Sequence, residues 1–259
     1  MSSVTGRIKE VKQPQGGYIR PSSMEITTLN DGIVLNEIEN IAPSIIGMSV
    51  DYLTRLLLGA TVLDAFNTSI IGAKMAEVNY GKRTKNEIYG YLKGITGLDD
   101  NSIINACKAT TFDVRFRNPM DALFAKTAKE TNPDKDTIDN IKTLVERSLI
   151  FWNQYGPIKV HGFTFEKNGY TKTVDGGDGD YLTEDTIWDL KVSKSAPTSK
   201  NTLQLLMYYI MGKHSGKQEF KGINKIGIFN PRLNKVYQYD TEKIPQETIR
   251  IVEKEVICY

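Results

Sequence analysis

The chain has 259 residues, of which 40% are apolar and 25% are charged, as is usual for a folded globular protein. Its formal net charge is only +2, so overall charge does not by itself indicate a nucleic-acid partner. With only two cysteines and two histidines, the chain cannot form a disulfide framework or a four-cysteine iron–sulfur cluster. The same counts provide few ligands for a zinc site and few histidines for a Ser/His/Asp triad.

The expected location follows from the same counts. No apolar run is long enough to span a bilayer, and the N-terminus lacks a secretory signal pattern. Having Cys107 and Cys258 as the only cysteines is typical of a reducing compartment. We therefore expect a cytoplasmic protein that does not associate with membranes.

The first part of the chain is predicted to be an arm followed by one helix. Residues 1–42 contain several prolines and glycines and only short β-like pieces, which predicts an extended N-terminal arm. Residues 43–59 have the apolar periodicity of a helix, with Pro43 in the first turn and Gly59 at the end. This is the predicted first core helix.

Residues 60–155 are mostly helical by periodicity and are interpreted as an insertion between that helix and a sheet. The predicted helices are Val62–Val78, Lys85–Ile95, Asp100–Thr110 and Asp136–Tyr155. Within the block, Phe112–Arg117 alternates like a short strand with Arg115 and Arg117 on one side. These arginines are either plain surface charges or contacts for phosphates.

The pattern changes to strands in residues 156–259. Predicted strands are Val160–Phe165, Tyr170–Val174, Ile223–Phe229 and Lys235–Tyr239, with a turn at Asn168-Gly169 and a closing helix at Pro245–Ile257. A further hairpin lies between the second and third of these strands, and it carries the residues of most chemical interest.

The hairpin is predicted over Gly177–Lys191, with Glu184 and Asp185 at its turn. A symmetric loop there pairs residues whose numbers sum to 369, which places Asp180 opposite Asp189 and Asp178 opposite Lys191. Two facing carboxylates repel each other and need a cation. Mg²⁺ suits this position because it is a hard ion that prefers oxygen ligands.

Alternation along the second strand of the hairpin predicts one core face and one polar face. Trp188, Leu190 and Val192 form the predicted core face, and Asp189 and Lys191 lie on the other face. The alternative is that the whole acidic hairpin is exposed and its charges are simply solvated.

Acidic residues concentrate in this hairpin and basic residues follow it. The acids are Asp175, Asp178, Asp180, Glu184, Asp185 and Asp189. From Lys191 to Lys235 there are nine lysines and arginines and one acid, Glu219. An acidic pocket bordered by basic surface is what a metal-dependent enzyme acting on a polyanion needs. A solvated surface on which these charges scatter is the open alternative.

A helix is predicted from Lys200 to Gly212, with the glycine as its stop. Its buried stripe consists of Leu203, Leu206, Met207 and Ile210. Gln204 and Tyr208 are four residues apart, so they share a face beside that stripe.

Three motifs in this order resemble the PD-(D/E)XK nuclease superfamily: Gly177-x-x-Asp180, Asp189-Leu190-Lys191 and Gln204-x-x-x-Tyr208. They most resemble its RecB-like branch, which includes λ-type exonucleases and CRISPR-associated exonucleases. The resemblance covers about Phe163 to Tyr259. It implies an α/β fold with a restriction-endonuclease-like core, in which a mixed sheet is flanked by helices, at residues 156–259.

The resemblance also implies roles for individual residues. Asp180 and Asp189 bind Mg²⁺ or Mn²⁺, together with the backbone carbonyl of Leu190. Lys191 orients or deprotonates the attacking water, and Gln204 positions the water or the scissile phosphate.

Weaker candidates surround this set. Tyr208 is implied to contact the nucleic-acid backbone, and Lys194 and Lys200 are further candidates for binding it. Two acids are auxiliary candidates for the metal site, Asp51 in the first core helix and Asp178 in the hairpin.

The implied function is a metal-dependent nuclease that hydrolyses phosphodiester bonds, with DNA as the expected partner. One alternative is a catalytically inactive nucleic-acid-binding module on the same fold. The complete Asp/Asp/Lys/Gln set argues against it, because an inactive relative is expected to lack at least one of these four residues. A second alternative is a structural Ca²⁺ loop at Asp175–Asp180. That loop lacks the glutamate of an EF-hand's twelfth position, where Thr186 stands instead.

Overall fold

The structure is a computed structural model that describes residues 2–80, 84–117, 120–165 and 171–259. The chain divides into two compact units. We call Met1–Asp31 with Phe151–Tyr259 the sheet unit, and Gly32–Ile150 the helical unit. None of the helices in the described ranges combines the length and the apolar character needed to cross a membrane.

The chain starts in the sheet unit, passes through the helical unit and returns to the sheet unit. The helices are α1 (Val4–Glu10), α2 (Pro43–Leu57), α3 (Val62–Ala65), α4 (Asn67–Tyr80), α5 (Thr84–Lys93), α6 (Asp100–Thr110), α7 (Asp113–Arg117), α8 (Lys135–Tyr155), α9 (Ser199–Ser215) and α10 (Gln246–Ile251). The strands are β1 (Ser2–Ser3), β2 (Glu25–Thr28), β3 (Val160–Phe165), β4 (Val174–Leu182), β5 (Thr186–Leu190), β6 (Lys225–Asn230) and β7 (Lys235–Asp240). A π-helical turn, Val252–Ile257, continues α10.

In the part of the chain that the structure describes, seven strands form one mixed sheet in the order β1-β4-β5-β6-β7-β2, with β3 also pairing with β4. The β1–β4 and β5–β6 pairs are parallel, and the other pairs are antiparallel. Helix α9 packs on β5 and β6, and α1 packs on α9 and β4. The protein is therefore an α/β protein with a mixed sheet flanked by helices.

Strand β5 is buried on both faces, and the prediction of a single core face is wrong. Ile187 is fully buried in the core beneath α9. Trp188, on the opposite face, packs with Phe151, Tyr181 and Phe229. Helix α9 covers one side of the strand and the end of α8 covers the other, which is usual for the central strand of an α/β sheet.

The N-terminal segment contains α1 and β2 and is part of the sheet unit. Val4 and Ile8, which are four residues apart in α1, are both buried. Strand β2 pairs along its whole length with β7 at the edge of the sheet. Glycine and proline near these elements indicated turns correctly, but the long-range partners of α1 and β2 were not visible locally.

The strands before the hairpin differ in part from the prediction. Strand β3 has the predicted bounds, and β4 is one nine-residue strand that begins at Val174. Residues 171–173 are bends, and the predicted turn at Asn168-Gly169 lies outside the described residues. Asp175–Asp180 lies inside β4, so this segment is an extended strand and not a Ca²⁺ loop.

Helix α9 runs past its predicted stop. Gly212 is buried inside the helix, where a Cβ would lie 2.3 Å from the ring of Phe220. The helix ends at Gly216, whose φ of +65° is the left-handed conformation that glycine adopts most readily. Gly212 is therefore a packing residue, and Gly216 is the cap.

The helical unit contains the predicted helices with small changes in their bounds. Helix α6 has the predicted limits, and the predicted helix Val62–Val78 is divided into α3 and α4 at Phe66. Helix α2, the predicted first core helix, belongs to this unit and contacts α6.

The predicted strand at Phe112–Arg117 is wrong, because residues 113–117 form α7. Asp113 is fully buried and accepts hydrogen bonds from the hydroxyls of Tyr52 (2.5 Å) and Ser69. Arg117, one turn later, lies 3.6 Å from the same carboxylate. A helix places residues 113 and 117 on one face, whereas a strand that alternates does not bring them into contact.

Candidate active site

The β4–β5 hairpin has the predicted register, and it brings Asp180 to the backbone of Leu190, the residue after Asp189. Tyr181 pairs with Trp188 and Leu182 with Ile187, so both pairs sum to 369. The ladder ends there, and Oδ2 of Asp180 accepts a 2.8 Å hydrogen bond from the backbone N–H of Leu190. A carboxylate thus takes the place of a main-chain partner where the two strands separate.

Asp178 does not pair with Lys191, because the β4–β5 ladder does not reach that far. Asp178 instead pairs with Thr164 of β3, and its side chain is exposed. The backbone N–H of Lys191 donates to the carbonyl of Phe229 in β6. The predicted contact between Asp178 and Lys191 is therefore wrong.

Asp189 is the most deeply buried acid of the hairpin. It is 3% exposed, and its Oδ1 accepts a 2.8 Å hydrogen bond from Nζ of Lys191. Its other oxygen, Oδ2, is buried and has no hydrogen-bond partner among the residues that the structure describes. An unsatisfied buried acceptor is unfavourable by about 1–3 kcal/mol, and by more when it is charged. The site therefore leaves one carboxylate oxygen in need of a donor or a cation.

Lys191 is held in its charged form by its neighbours. Burial by itself lowers the pKa of Lys191, but the charges on Asp189 and Asp180 outweigh burial and the pKa is raised. The side chain is 30% exposed, so the ammonium lies between the buried acids and solvent. At neutral pH this group donates hydrogen bonds and does not accept a proton.

Gln204 and Tyr208 of α9 are linked to β4 by a short chain of hydrogen bonds. Gln204 Nε2 donates to the hydroxyl of Tyr208 at 3.1 Å, and that hydroxyl donates to the backbone carbonyl of Asp178 at 2.5 Å. Tyr208 is only 2% exposed, which raises the pKa of its hydroxyl. Its burial argues against the predicted contact between Tyr208 and nucleic acid, because its hydroxyl is already bound to β4.

Two glycines of β4 make this arrangement possible. A Cβ at Gly179 would lie 1.9 Å from the ring of Phe163, which packs edge-on against Tyr208 with centroids 5.5 Å apart. A Cβ at Gly177 would lie 3.1 Å from Tyr208 and 2.7 Å from Val4. Sequence reasoning missed the roles of Phe163 and Gly179, although an isolated strand glycine is a known sign of close packing.

The donor set suits a hard divalent ion that keeps part of its water shell. Within the described ranges, no group of three or more His, Cys, Asp or Glu side chains is placed to hold a metal. Mg²⁺, however, is commonly held by one or two carboxylates, with waters and phosphate oxygens completing the shell. The orphaned Oδ2 of Asp189 fits such an ion, with Asp180 and the carbonyl of Leu190 as the other candidate ligands.

Known proteins give no further guide to this site. No protein-family model, curated protein or solved structure matches the chain. The resemblance to PD-(D/E)XK nucleases therefore stays a prediction.

The remaining candidates lie in three places. Lys194 is exposed between β5 and α9, and Lys200 is exposed in the first turn of α9. Asp51 lies in the helical unit, where its carboxylate forms a 2.9 Å ion pair with Arg55. Asp51 therefore already has a cationic partner on its own helix.

Proposed function

We propose that this protein is a metal-dependent nuclease that hydrolyses phosphodiester bonds, with DNA as its substrate. The observation that supports it most strongly is the buried Oδ2 of Asp189, which has no hydrogen-bond partner among the described residues. It lies beside Lys191 and next to Leu190, whose backbone N–H donates to Asp180. The fold of the sheet unit is compatible with a restriction-endonuclease-like core, since it has a mixed sheet flanked by helices.

The acids and the lysine of the site have different roles in the proposed reaction. Asp180, Asp189 and the carbonyl of Leu190 would hold a divalent ion, which would supply an activated water and neutralise charge on the phosphate. Asp189 fixes Lys191 through their 2.8 Å contact, so the ammonium stays beside the reacting group. From this position Lys191 orients the attacking water and stabilises the negative charge that develops in the reaction.

The charge distribution supports a polyanionic substrate. Basic residues dominate the segment that follows Asp189, and Lys194 and Lys200 have exposed side chains there. Lysines of this kind bind phosphates through charge and without reading sequence. They therefore hold the backbone of the substrate, whereas the hairpin acids act at the scissile bond.

The experiment is incubation of the protein with linear and with circular DNA in Mg²⁺, Mn²⁺ or EDTA. We expect cleavage with either metal, none in EDTA, and a loss on the order of 10²–10³-fold in Lys191→Ala, as when one preorganised transition-state donor is removed. Lys243→Ala is the control, because Lys243 is 67% exposed and forms an ion pair with nearby Asp240 in the sheet unit.

Two results contradict parts of the proposal. DNA binding without cleavage by the parent protein favours an inactive nucleic-acid-binding module. Cleavage that survives Lys191→Ala refutes the assignment of the site, even if the protein is a nuclease.

A further inference from the structure

The hydroxyl of Tyr208 lies between two polar groups whose chemistry fixes the direction of both hydrogen bonds. The carbonyl of Asp178 can only accept, so it receives the single hydroxyl proton at 2.5 Å. The Tyr208 oxygen must therefore accept from Gln204, whose amide nitrogen Nε2 lies 3.1 Å away. The network thus determines which way the Gln204 amide faces.

This orientation leaves the carbonyl oxygen of Gln204 as an open acceptor. Within the described residues Oε1 accepts no hydrogen bond, and the Gln204 side chain is half-buried. The nitrogen donates one of its protons to the buried hydroxyl of Tyr208. A phosphate oxygen is an acceptor and cannot donate to Oε1, whereas a water molecule can.

We propose that Tyr208 is a positioning residue, which orients Gln204 so that Oε1 accepts a hydrogen bond from the attacking water rather than contacting the scissile phosphate. This inference rests on the proposed nuclease function. It also replaces the predicted direct contact between Tyr208 and nucleic acid.

The surroundings of Tyr208 suit this role. Its ring is 2% exposed and packs against Phe163, so the hydroxyl has little freedom to move. Burial raises the pKa of Tyr208, so the hydroxyl keeps its proton and remains a donor to Asp178 at neutral pH. Tyr208→Phe therefore keeps the ring packing and removes only the oxygen that orients Gln204.

Cleavage kinetics test the dependence of one residue on the other. We expect Tyr208→Phe to lower kcat about tenfold or more with little change in KM, and the double variant with Gln204→Ala to be no worse than Gln204→Ala alone. Tyr209→Phe is the matched control, because Tyr209 is the adjacent tyrosine of α9 and is half-buried outside the site. The inference is overturned if the activity loss of the double variant equals the product of the two single losses, or if Tyr208→Phe keeps full activity.

A second measurement does not depend on cleavage. The side-chain NH₂ signals of Gln204 are identified in ¹H–¹⁵N spectra by their loss in Gln204→Ala. We expect them to differ between parent and Tyr208→Phe, and to shift on addition of Mg²⁺ in the parent only. Identical signals in the two proteins overturn the inference. A parent that shows these shifts but cleaves no DNA contradicts the proposed function, while the orientation of Gln204 by Tyr208 is supported.

Discussion

Replacing Asp189 by asparagine should abolish the stabilisation that Mg²⁺ gives to this protein. Asp189 is 3% exposed, and in the described part of the chain its Oδ2 has no hydrogen-bond partner, so an ion that fills this position interacts with the folded chain only. Such a ligand adds RT ln(1 + [L]/Kd) to the free energy of unfolding, which is about 2.7 kcal/mol at a concentration 100 times Kd.

The expected change in melting temperature follows from this free energy. For a domain of 150–250 residues, 1 kcal/mol corresponds to roughly 2–4 °C, so saturating Mg²⁺ should raise the Tm of the parent by roughly 5–11 °C. The measurement is thermal unfolding followed by circular dichroism during a Mg²⁺ titration. Ionic strength is held constant with KCl, so that screening of surface charges does not contribute.

A matched variant in the same hairpin separates metal binding from a general loss of acidic charge. Asp185 lies in the turn and pairs with Lys225 at 3.0 Å, so Asp185→Asn should keep the full Mg²⁺-dependent shift. Asp189→Asn should lose it. The reasoning is refuted if the parent shows no shift above that of KCl, or if Asp189→Asn retains it.

Two further predictions concern packing and buried charge. Gly179→Ala should lower the free energy of unfolding by about 1–3 kcal/mol, because the new methyl group would lie 1.9 Å from the Phe163 ring. Urea unfolding checks this, and an equal loss in a Phe163→Ala background would contradict the steric reason. Burial raises the pKa of Asp113, although its hydrogen bonds and Arg117 act in the opposite direction. The protonated carboxyl of Asp113 therefore contributes fully to the stability of the folded protein below the unfolded pKa of about 3.9. This contribution is lost as pH rises through the folded pKa. The difference in unfolding free energy between parent and Asp113→Asn should therefore fall from about pH 3 to about pH 7, and a constant difference would count against this assignment.

The hairpin register was predictable from its turn. The polar pair Glu184-Asp185 marks the turn, and a symmetric loop centred there fixes which residues of the two strands face each other. Strong apolar periodicity likewise predicted α2, α6 and α8 to within about two residues at each end.

The errors occur where a distant partner decides the local structure. Residues 113–117 form a helix because the buried carboxylate of Asp113 is bound by Tyr52 and Ser69, which lie on other helices. Strand β2 is ordered by β7, more than 200 residues later in the chain. No window of sequence contains these contacts.

The sequence by itself determined the chemistry of the candidate site: two acids, a lysine and a glutamine in a fixed order, with the acids on paired strands. Only the tertiary structure decided how those groups are used. It left one oxygen of Asp189 buried without a partner, and it turned Tyr208 inward to hold β4 and Gln204. The reason is physical, because alternation and periodicity assign a residue to a face, whereas burial and hydrogen-bond direction depend on what packs against that face.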